Sequence, residues 1–592
     1  MSKRHHITRR LARIMVNRGI TSEDSVRAYL HGELSDLHSA HLLKDMDKAA
    51  KLLYESVRGG QRLFIIGDYD IDGVCASYIL EKGLSLCCKY AEEGEEGLHN
   101  IKAGESNDIL GEYADRIRVR LPDRIKDGYG MNRAMVDEAA DWGASVILTC
   151  DNGIAAYDEI SYASGKGMTV IVTDHHEVPY EERDGQREYL IPPADAVVDP
   201  KRKDCSYPFE GICGGVVAYK LISSLFERTG IPGEYLRELL IFAAVSTVGD
   251  IMELKDENRI IVKYGMAEMA NDLNHGINAL INVTELDKNA ITPYHIGYIL
   301  GPCINATGRL DLADRALKLF ESADQREAAL IAQELKELND SRKDMQLYYT
   351  EKAMSLIESD PSYAEDTVLV IFLPDCHESL AGLIAGKLRE KYSKPSFVLT
   401  RGEESVKGSG RSIEAYDMYA EMSRVKELFI RFGGHKMAAG LSIREENTGL
   451  LRRMLNDNSS LTPKDMVRKF RADMQLNLNG ATLEFAKELE MLEPYGNGNP
   501  RPLFVERDLR IVKKQVLGRN RNVLKLSVAP ESAFNGEGLC DWGALREAII
   551  YGEADEISQS LEGKKDIMLM YELSVNVYMG NENVQLVVRD WK

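Results

Sequence analysis

Three short apolar runs in the first half of the chain end on acid or imidazole. Arg62–Ile66 runs into Gly67-Asp68-Tyr69-Asp70-Ile71-Asp72-Gly73. Ser145–Thr149 leads through Cys150 to Asp151-Asn152-Gly153, and Met168–Thr173 leads to Asp174-His175-His176-Glu177. A fourth apolar stretch, Ile241–Val248, ends at Gly249-Asp250. If Gly67–Gly73 is extended, Asp68, Asp70 and Asp72 project to one side. A single Asp after a strand is accounted for by capping of the next helix. The set is not, because carboxylates gathered in a low-dielectric crevice repel until some protonate or a cation joins them. Oxygen ligands with one or two imidazoles favour Mn²⁺ or Mg²⁺ over a thiolate-seeking metal. Cys75 and Cys150 stand singly, too few for a structural zinc site. Two hard ions roughly 4 Å apart suit attack on phosphorus with the leaving oxygen also stabilised, so phosphate hydrolysis is the expected reaction class.

The elements that must position these groups alternate in type. The three runs above and Ala196–Val198 are short, apolar and mostly β-branched, as buried strands are, and helical stretches such as Ala76–Leu86 and Arg133–Trp142 lie between. The alternation predicts βαβ units and a mainly parallel α/β sheet. Ligands bind beyond the carboxyl ends of such strands, where five Asp and two His would meet. Leu11 to Val57 reads as short helices broken at Gly19 and Gly32, and Ala91–Gly97 as a solvated acidic loop. Asp311 to Ser359 is helical and charged, either surface helices or a connector between two lobes. A second α/β pattern spans Thr367–Phe372, Ser379–Tyr392 and Pro395–Thr400. Past Lys469, the runs Leu524–Val528, Ile567–Val577 and Val584–Val588 predict a small barrel.

Composition narrows the class. With 592 residues, 44% hydrophobic and 28% charged, the chain has the make-up of a globular protein of several domains. No apolar run reaches the roughly 18 residues that span a bilayer. The start, Met1-Ser-Lys-Arg-His-His, lacks an apolar core, so no secretory signal is expected. Nine scattered cysteines without a Cys-x-x-Cys pair fit a reducing cytosol, and a cytoplasmic protein is expected. A net charge of −20 argues against non-specific coating of nucleic acid, though not against a local basic groove.

The ordered motifs GDYDIDG, DNG, TDHHE and GD resemble those of the DHH phosphoesterase superfamily. The likeness is closer to its RecJ branch, single-strand-specific 5′→3′ exonucleases. It rests on NRGI (Asn17–Ile20), LPDRIKDGYG (Leu121–Gly130), DPKR (Asp199–Arg202), YPFEGICGGVVAYKL (Tyr207–Leu221) and ENR (Glu257–Arg259). It continues through INATGRL (Ile304–Leu310), HESLAGLIAGKL (His377–Leu388), GSGRS (Gly408–Ser412), FGGHKMAAG (Phe432–Gly440) and LEPYGNGNPRPLF (Leu492–Phe504).

The resemblance implies a parallel-sheet DHH domain (51–310) after an N-terminal helical segment (1–50). A helical connector (311–365), a smaller DHHA1-like α/β domain (366–460) and an OB-fold-like barrel (461–592) would follow. It implies a hydrolase that degrades single-stranded DNA from the 5′ end to mononucleotides in recombination and repair. Two ions, Mn²⁺ or Mg²⁺, would be held by Asp70, Asp72, Asp151, His175 and Asp250, with Asp151 bridging. Asp174 would orient the imidazoles, and His176 would face the scissile phosphate. Asp68 stays open between a ligand, a base behind the ligands and a turn residue. Read by itself, GSGRS is a surface turn or a phosphate-holding loop. In the family it is the 5′-phosphate pocket, where Ser409 and Arg411 act with Arg124. Asn305 and Arg309 would support the metal site or contact the DNA backbone, or serve as structural hydrogen-bonding residues. His435, in GGH, is either part of a tight turn or closes the cleft from the second lobe.

Lys513, Lys514, Arg519, Arg521 and Lys525 are expected to track a strand on the barrel, with Tyr551, Tyr571 and Tyr578 available for stacking or core packing. A single-strand-binding protein and a repair helicase are the candidate protein partners, and no membrane is expected. Cys303 and Cys376 stand where the family carries Arg and Trp. The stretch between Leu86 and Leu121 is longer than the family's and holds the acidic run, an access-tuning or partner-binding insert. Two rivals remain: a DHH-family phosphodiesterase for short oligonucleotides or cyclic dinucleotides, and a non-catalytic single-strand-binding scaffold.

Overall fold

Five short strands, Leu63–Ile66, Ile117–Arg120, Val146–Cys150, Thr169–Thr173 and Ala196–Val198, form one all-parallel sheet in the computed structural model. It describes residues 2–99, 107–124, 126–183, 186–310, 313–534, 540–564 and 566–592. In space the order is second, first, third, fourth, fifth. Strand side chains alternate between two cores. Leu63, Ile65, Val146, Leu148 and Ile171 face the helices Ile71–His99, Gly214–Thr229 and Leu236–Gly249. Phe64, Ile66, Ile147, Val170 and Val172 face Arg133–Trp142 and Tyr157–Gly165. Burial on both faces explains why these strands read as continuous Val/Ile/Leu runs. Connectivity reverses between Leu63–Ile66 and Val146–Cys150, which are hydrogen-bonded neighbours. That is where an open parallel sheet leaves a crevice.

The segment after the first sheet is a connector. Asp314–Glu321 leads to Gln325–Ser359, a 35-residue helix about 50 Å long. Its start is capped by Asp324, whose carboxylate accepts from the Arg326 and Glu327 N–H groups. Beyond it, a five-stranded sheet runs in the order Phe429–His435, Ala438–Ile443, Val406–Arg411, Ser396–Arg401, Leu369–Phe372. Its last pair is parallel and the others antiparallel. The C-terminal strands form a six-stranded sheet in which Phe504–Leu517 also pairs with Asp566–Tyr578, closing a ring, so the expected barrel is present. The N-terminal helices divide between cores. Leu11, Ile14, Met15, Val26 and Leu30 pack on the barrel, whereas Met46–Arg58 packs on the parallel sheet. No described helix is long and apolar enough to cross a membrane.

Several local expectations are corrected. Gly67–Gly73 is not extended throughout, because Asp72 lies in the first turn of the helix Ile71–His99. Ala91–Gly97 is helical on either side of a break at Gly94, where two helices meet, rather than a loop throughout. Glu92 meets Arg116, Glu93 meets Lys89, and Gly94 alone departs from helical geometry at φ +69°. Part of the long stretch after Leu86, residues 100–106, lies outside the described residues. GSGRS is strand rather than loop up to Arg411: Gly408 and Gly410 pair with Leu399 and Phe397, and added side chains there would strike those two residues. Gly433-Gly434-His435 is also strand, not a tight turn. Of the barrel cations, Lys514 donates to the Ser558 and Leu561 carbonyls, Arg521 pairs with Asp555 and Lys525 with Glu547. Lys513 and Arg519 carry neither an ion pair nor a side-chain hydrogen bond among the described residues. Tyr571 is core and donates to the Leu476 carbonyl, Tyr551 is exposed, and the Tyr578 side chain lies outside the described residues.

Candidate functional site

The ends of the parallel strands bring the acids together. Asp70 caps the helix Ile71–His99, its Oδ1 accepting from the Asp72 and Gly73 N–H groups at 3.0 and 3.1 Å. Capping and ligation are compatible because that leaves Oδ2 free of the helix. Asp72, 1% exposed, is gripped from another element. Gly214 N–H donates to its Oδ2 and Gly215 N–H to its Oδ1, both at 2.8 Å, and Ser246 Oγ also donates to Oδ1. These N–H groups open the helix Gly214–Thr229, whose positive end favours an anion. Neither glycine admits a side chain: a Cβ on Gly214 would lie 2.7 Å from Asp151 Cβ, and one on Gly215 2.3 Å from Ser246 Oγ.

Asp151 sits at φ +59°, a left-handed backbone that costs a non-glycine residue energy and recurs where function fixes geometry. Its Oδ1 is buried without a hydrogen-bond partner and stands 3.1 Å from His175 Nε2. His175 Nε2 also lies 3.4 Å from Asp72 and 3.7 Å from Asp250. Asp250 follows the helix Leu236–Gly249, the apolar stretch that ends on Gly-Asp. Three overlapping sets result, Asp68/Asp70/Asp151, Asp72/His175/Asp250 and Asp151/His175/His176. Within each, one ligand atom per residue lies within 4.8 Å of the others.

The electrostatics are those of a cation site. Burial, then the charge of Asp70, pushes the Asp68 carboxyl up to about 8, and burial with Asp72 does the same to Asp250. Asp70 and Asp151 are raised by burial and by their acidic neighbours. Ionising Asp68 at neutral pH is therefore unfavourable unless a cation joins it. The orphaned oxygens of Asp68 and Asp151, and a donor set of carboxylates with imidazole, fit two hard divalent ions.

Asp174 behaves differently. Its Oδ1 accepts from the His175 and His176 N–H groups and bonds His176 Nδ1 at 2.8 Å, while Oδ2 accepts from Ile154 N–H. Burial acts to raise this carboxyl, but its bond to His176 prevails and holds it below the ordinary range. Burial alone would lower the His176 imidazole; Asp174 instead lifts it to about 9.

A second cluster adjoins the first through Tyr69. Arg124 lies over the Tyr69 ring at 5.0 Å, and Arg309 donates to the Ser379 carbonyl of the second α/β unit. Burial, then the charges of Arg124, Arg342 and Arg411, lowers the Arg309 guanidinium to about 10. None of these four arginines has a carboxylate partner among the described residues, so an anion is the missing counter-charge. Ser409 and Arg411 face Gly382 of the helix Ala381–Tyr392, where an added Cβ would lie 2.9 Å from Arg411 Nη2 and 3.3 Å from Ser409 Oγ. Asn305 accepts from Ile71 N–H and so braces the acidic loop. His435 is exposed, with no side-chain hydrogen bond among the described residues; Arg411 and His435 flank Ala438 in one row of the sheet.

Several residues of this site escape the sequence reading. Gly214, Gly215, Ser246 and Gly382 lie far along the chain from what they hold. Tyr129, inside LPDRIKDGYG, donates to the Asp151 carbonyl and reaches His176 Nδ1 at 3.1 Å. Asp199, in DPKR at the end of the fifth strand, is buried with Oδ2 unpartnered, and burial raises it to about 8. Replacing Ser246 with Ala is expected to weaken Mn²⁺ affinity about 10- to 100-fold by loosening Asp72, measurable by titration calorimetry.

Comparison with known proteins agrees with this arrangement. Residues 62–246 match the DHH family N-terminal domain, 365–459 the DHHA1 domain and 472–590 the RecJ OB domain. The chain is 30% identical to the single-stranded-DNA-specific exonuclease RecJ of Bacillus subtilis (strain 168), over 100% of this chain and 69% of that protein. It is 29% identical to the Escherichia coli (strain K12) protein of the same description, over 98% and 95%. The crystal structure of RecJ in complex with Mn²⁺ from Thermus thermophilus matches with a TM-score of 0.76 at 25% identity, covering 98% of this chain and 77% of that one. The chain therefore belongs to the RecJ family, within the DHH fold.

Proposed function

We propose that the chain is a metal-dependent exonuclease. It degrades single-stranded DNA from the 5′ end to mononucleotides by two-ion phosphodiester hydrolysis, in recombination and repair. One observation carries the reading: two adjoining carboxylate–imidazole sets stand beside four arginines that lack carboxylate partners. Asp70, Asp72, Asp151, His175 and Asp250 would hold two ions, Mn²⁺ or Mg²⁺, with Asp68 as a further oxygen donor or base. The ions supply Lewis-acid stabilisation of the attacking and leaving oxygens. Asp174 and Tyr129 fix the ring of His176, which donates a proton or hydrogen bond to the scissile phosphate. Arg124, Ser409 and Arg411 bind the terminal phosphate, Arg309 contacts the DNA backbone, Asn305 holds the acidic loop, and His435 closes the cleft from the second lobe. A cleft between the two lobes admits one strand and excludes a duplex. A single-strand-binding protein and a repair helicase are the partners that expose and present such strands. Nine cysteines without a disulfide are consistent with action in the cytoplasm.

The test incubates the protein and Mn²⁺ with strands blocked at either end, single and duplex, beside an Asp151→Ala control. Mononucleotides released only from an unblocked 5′ end of single strands support the reading. Equal digestion from both ends, or an active Asp151→Ala, overturns it. Gly382→Ala is expected to displace Arg411 and raise KM for 5′-phosphorylated strands about 10-fold, with less effect on strands ending in 5′-hydroxyl. Steady-state kinetics on the two strand types checks this.

A further inference from the structure

Beside the metal centre lies a cavity of about 740 Å³ that every large unit of the molecule helps to line. Ile251 and Asn305 mark its metal-side wall, Arg342 comes from the long connector helix, Leu383 from the second α/β unit, and Tyr495 and Arg501 from the approach to the barrel. On this wall stand Tyr294 and Tyr298, 61% and 70% exposed, with ring centroids 5.0 Å apart and planes inclined by 24°. Core packing does not account for two large aromatic faces left in water.

The pair is held rigidly. Thr292 caps the turn, accepting from His295 N–H, while the His295 ring accepts from Thr292 N–H; Pro293 occupies the first helical position. Tyr298 then lies in a π-helical turn, Ile296–Leu300, a feature that recurs at functional sites. The helix continues as Gly301–Leu310, which carries Asn305 and Arg309. One continuous element thus bears the exposed rings at one end and a cation without a carboxylate partner at the other. Arg342, across the cavity, also lacks a carboxylate partner among the described residues and uses its guanidinium only on Asn339 and Gln346.

We propose that Tyr294 and Tyr298 form a platform on which a base of the single strand stacks within the first few nucleotides of its 5′ end, while Arg309 and Arg342 meet the adjoining phosphates. This rests on the exonuclease reading above. The occupant is single-stranded nucleic acid because unpaired cations beside an apolar, aromatic wall match a chain that alternates anionic phosphate with flat bases. Stacking on an aromatic face is tolerant of base identity, so the platform holds any sequence. Both tyrosines are positioning residues: they retain the strand and do not touch the reacting atoms.

The test uses the full chain and 5′-phosphorylated DNA strands carrying 2-aminopurine at successive positions. In an Asp151→Ala background, which binds without cutting, fluorescence quenching is expected to peak at one position near the 5′ end. That peak should vanish in Tyr294→Ala/Tyr298→Ala. In the otherwise wild-type chain the same pair should raise KM about 10-fold or more and leave kcat within twofold. Tyr294→Phe/Tyr298→Phe should restore both readouts, since the ring face and not the hydroxyl is used. Unchanged quenching and KM in the Ala pair, or failure of the Phe pair to restore them, overturns the platform. An Asp151→Ala protein that still cuts, or a wild-type chain that digests no single strand, overturns the exonuclease reading instead.

Discussion

Asp151→Ala is expected to lower kcat on single-stranded DNA by about 10³-fold or more, equivalent to about 4 kcal/mol of transition-state stabilisation. Its fold should be intact. Asp151 belongs to the Asp68/Asp70 set, and its Oδ1 lies 3.1 Å from His175 Nε2 of the Asp72/His175/Asp250 set, so its removal weakens both ion positions at once. Asp72 or Asp250 belongs to one set only, and its loss should leave the other position able to bind. The buried Asp151 Oδ1 has no hydrogen-bond partner and its carboxyl is raised by burial and by Asp72, Asp70 and Asp68. Removing that carboxyl also removes repulsion. The metal-free variant should therefore melt at or above the metal-free wild type, a combination that a purely structural aspartate would not produce. Paired single-turnover kinetics and thermal melts check both parts.

Metal and pH should be linked in stability, with a sign that the site dictates. In the metal-free protein Asp68 and Asp250 are raised to about 8, and Asp70 and Asp151 are raised too. Folded values above the unfolded ones mean that this contribution is fully present below about pH 4 and is lost as pH rises through about 8. Asp174 is lowered and opposes this only below the ordinary carboxylate range. The metal-free melting temperature should accordingly fall between pH 6 and pH 9. Mg²⁺ should restore it by several degrees, more at pH 9 than at pH 6, because at low pH the ion must displace protons. Scanning fluorimetry in EDTA and in Mg²⁺ across that range reads the effect; parallel melting curves at every pH would contradict it.

The parallel sheet is legible in the sequence because its strands are buried on both faces, which forces continuous apolar runs ending abruptly on polar residues. The barrel is legible for a similar reason, since Gly and Asn turns punctuate its strands. Less legible is whatever depends on a distant neighbour. Gly408 and Gly410 look like loop residues because glycine usually punctuates. Their reason for being glycine is Leu399 and Phe397 on the next strand. Ala91–Gly97 looks like a loop because of its charge, yet Arg116 and Lys89 neutralise part of it and the chain is helical on both sides of a break at Gly94. The spacing of Asp68, Asp70 and Asp72 suggests one extended face, whereas the chain turns into a helix at Ile71 and Asp72 reaches the cluster from there. The grip of Gly214, Gly215 and Ser246 on Asp72 spans more than 140 residues. No local pattern announces it. Tyr294 and Tyr298, four residues apart and so on one helix face, carry no local signal of their role, which shows only in their exposure and mutual stacking.

The central claim is that these acids converge because divalent ions sit among them. Anomalous diffraction from crystals soaked in Mn²⁺ tests it most directly. Two peaks roughly 4 Å apart are expected, one beside Asp68 and Asp70, the other beside Asp72, His175 and Asp250, with Asp151 next to both. No peak in the crevice, or peaks only at other acidic positions on the surface, would contradict it.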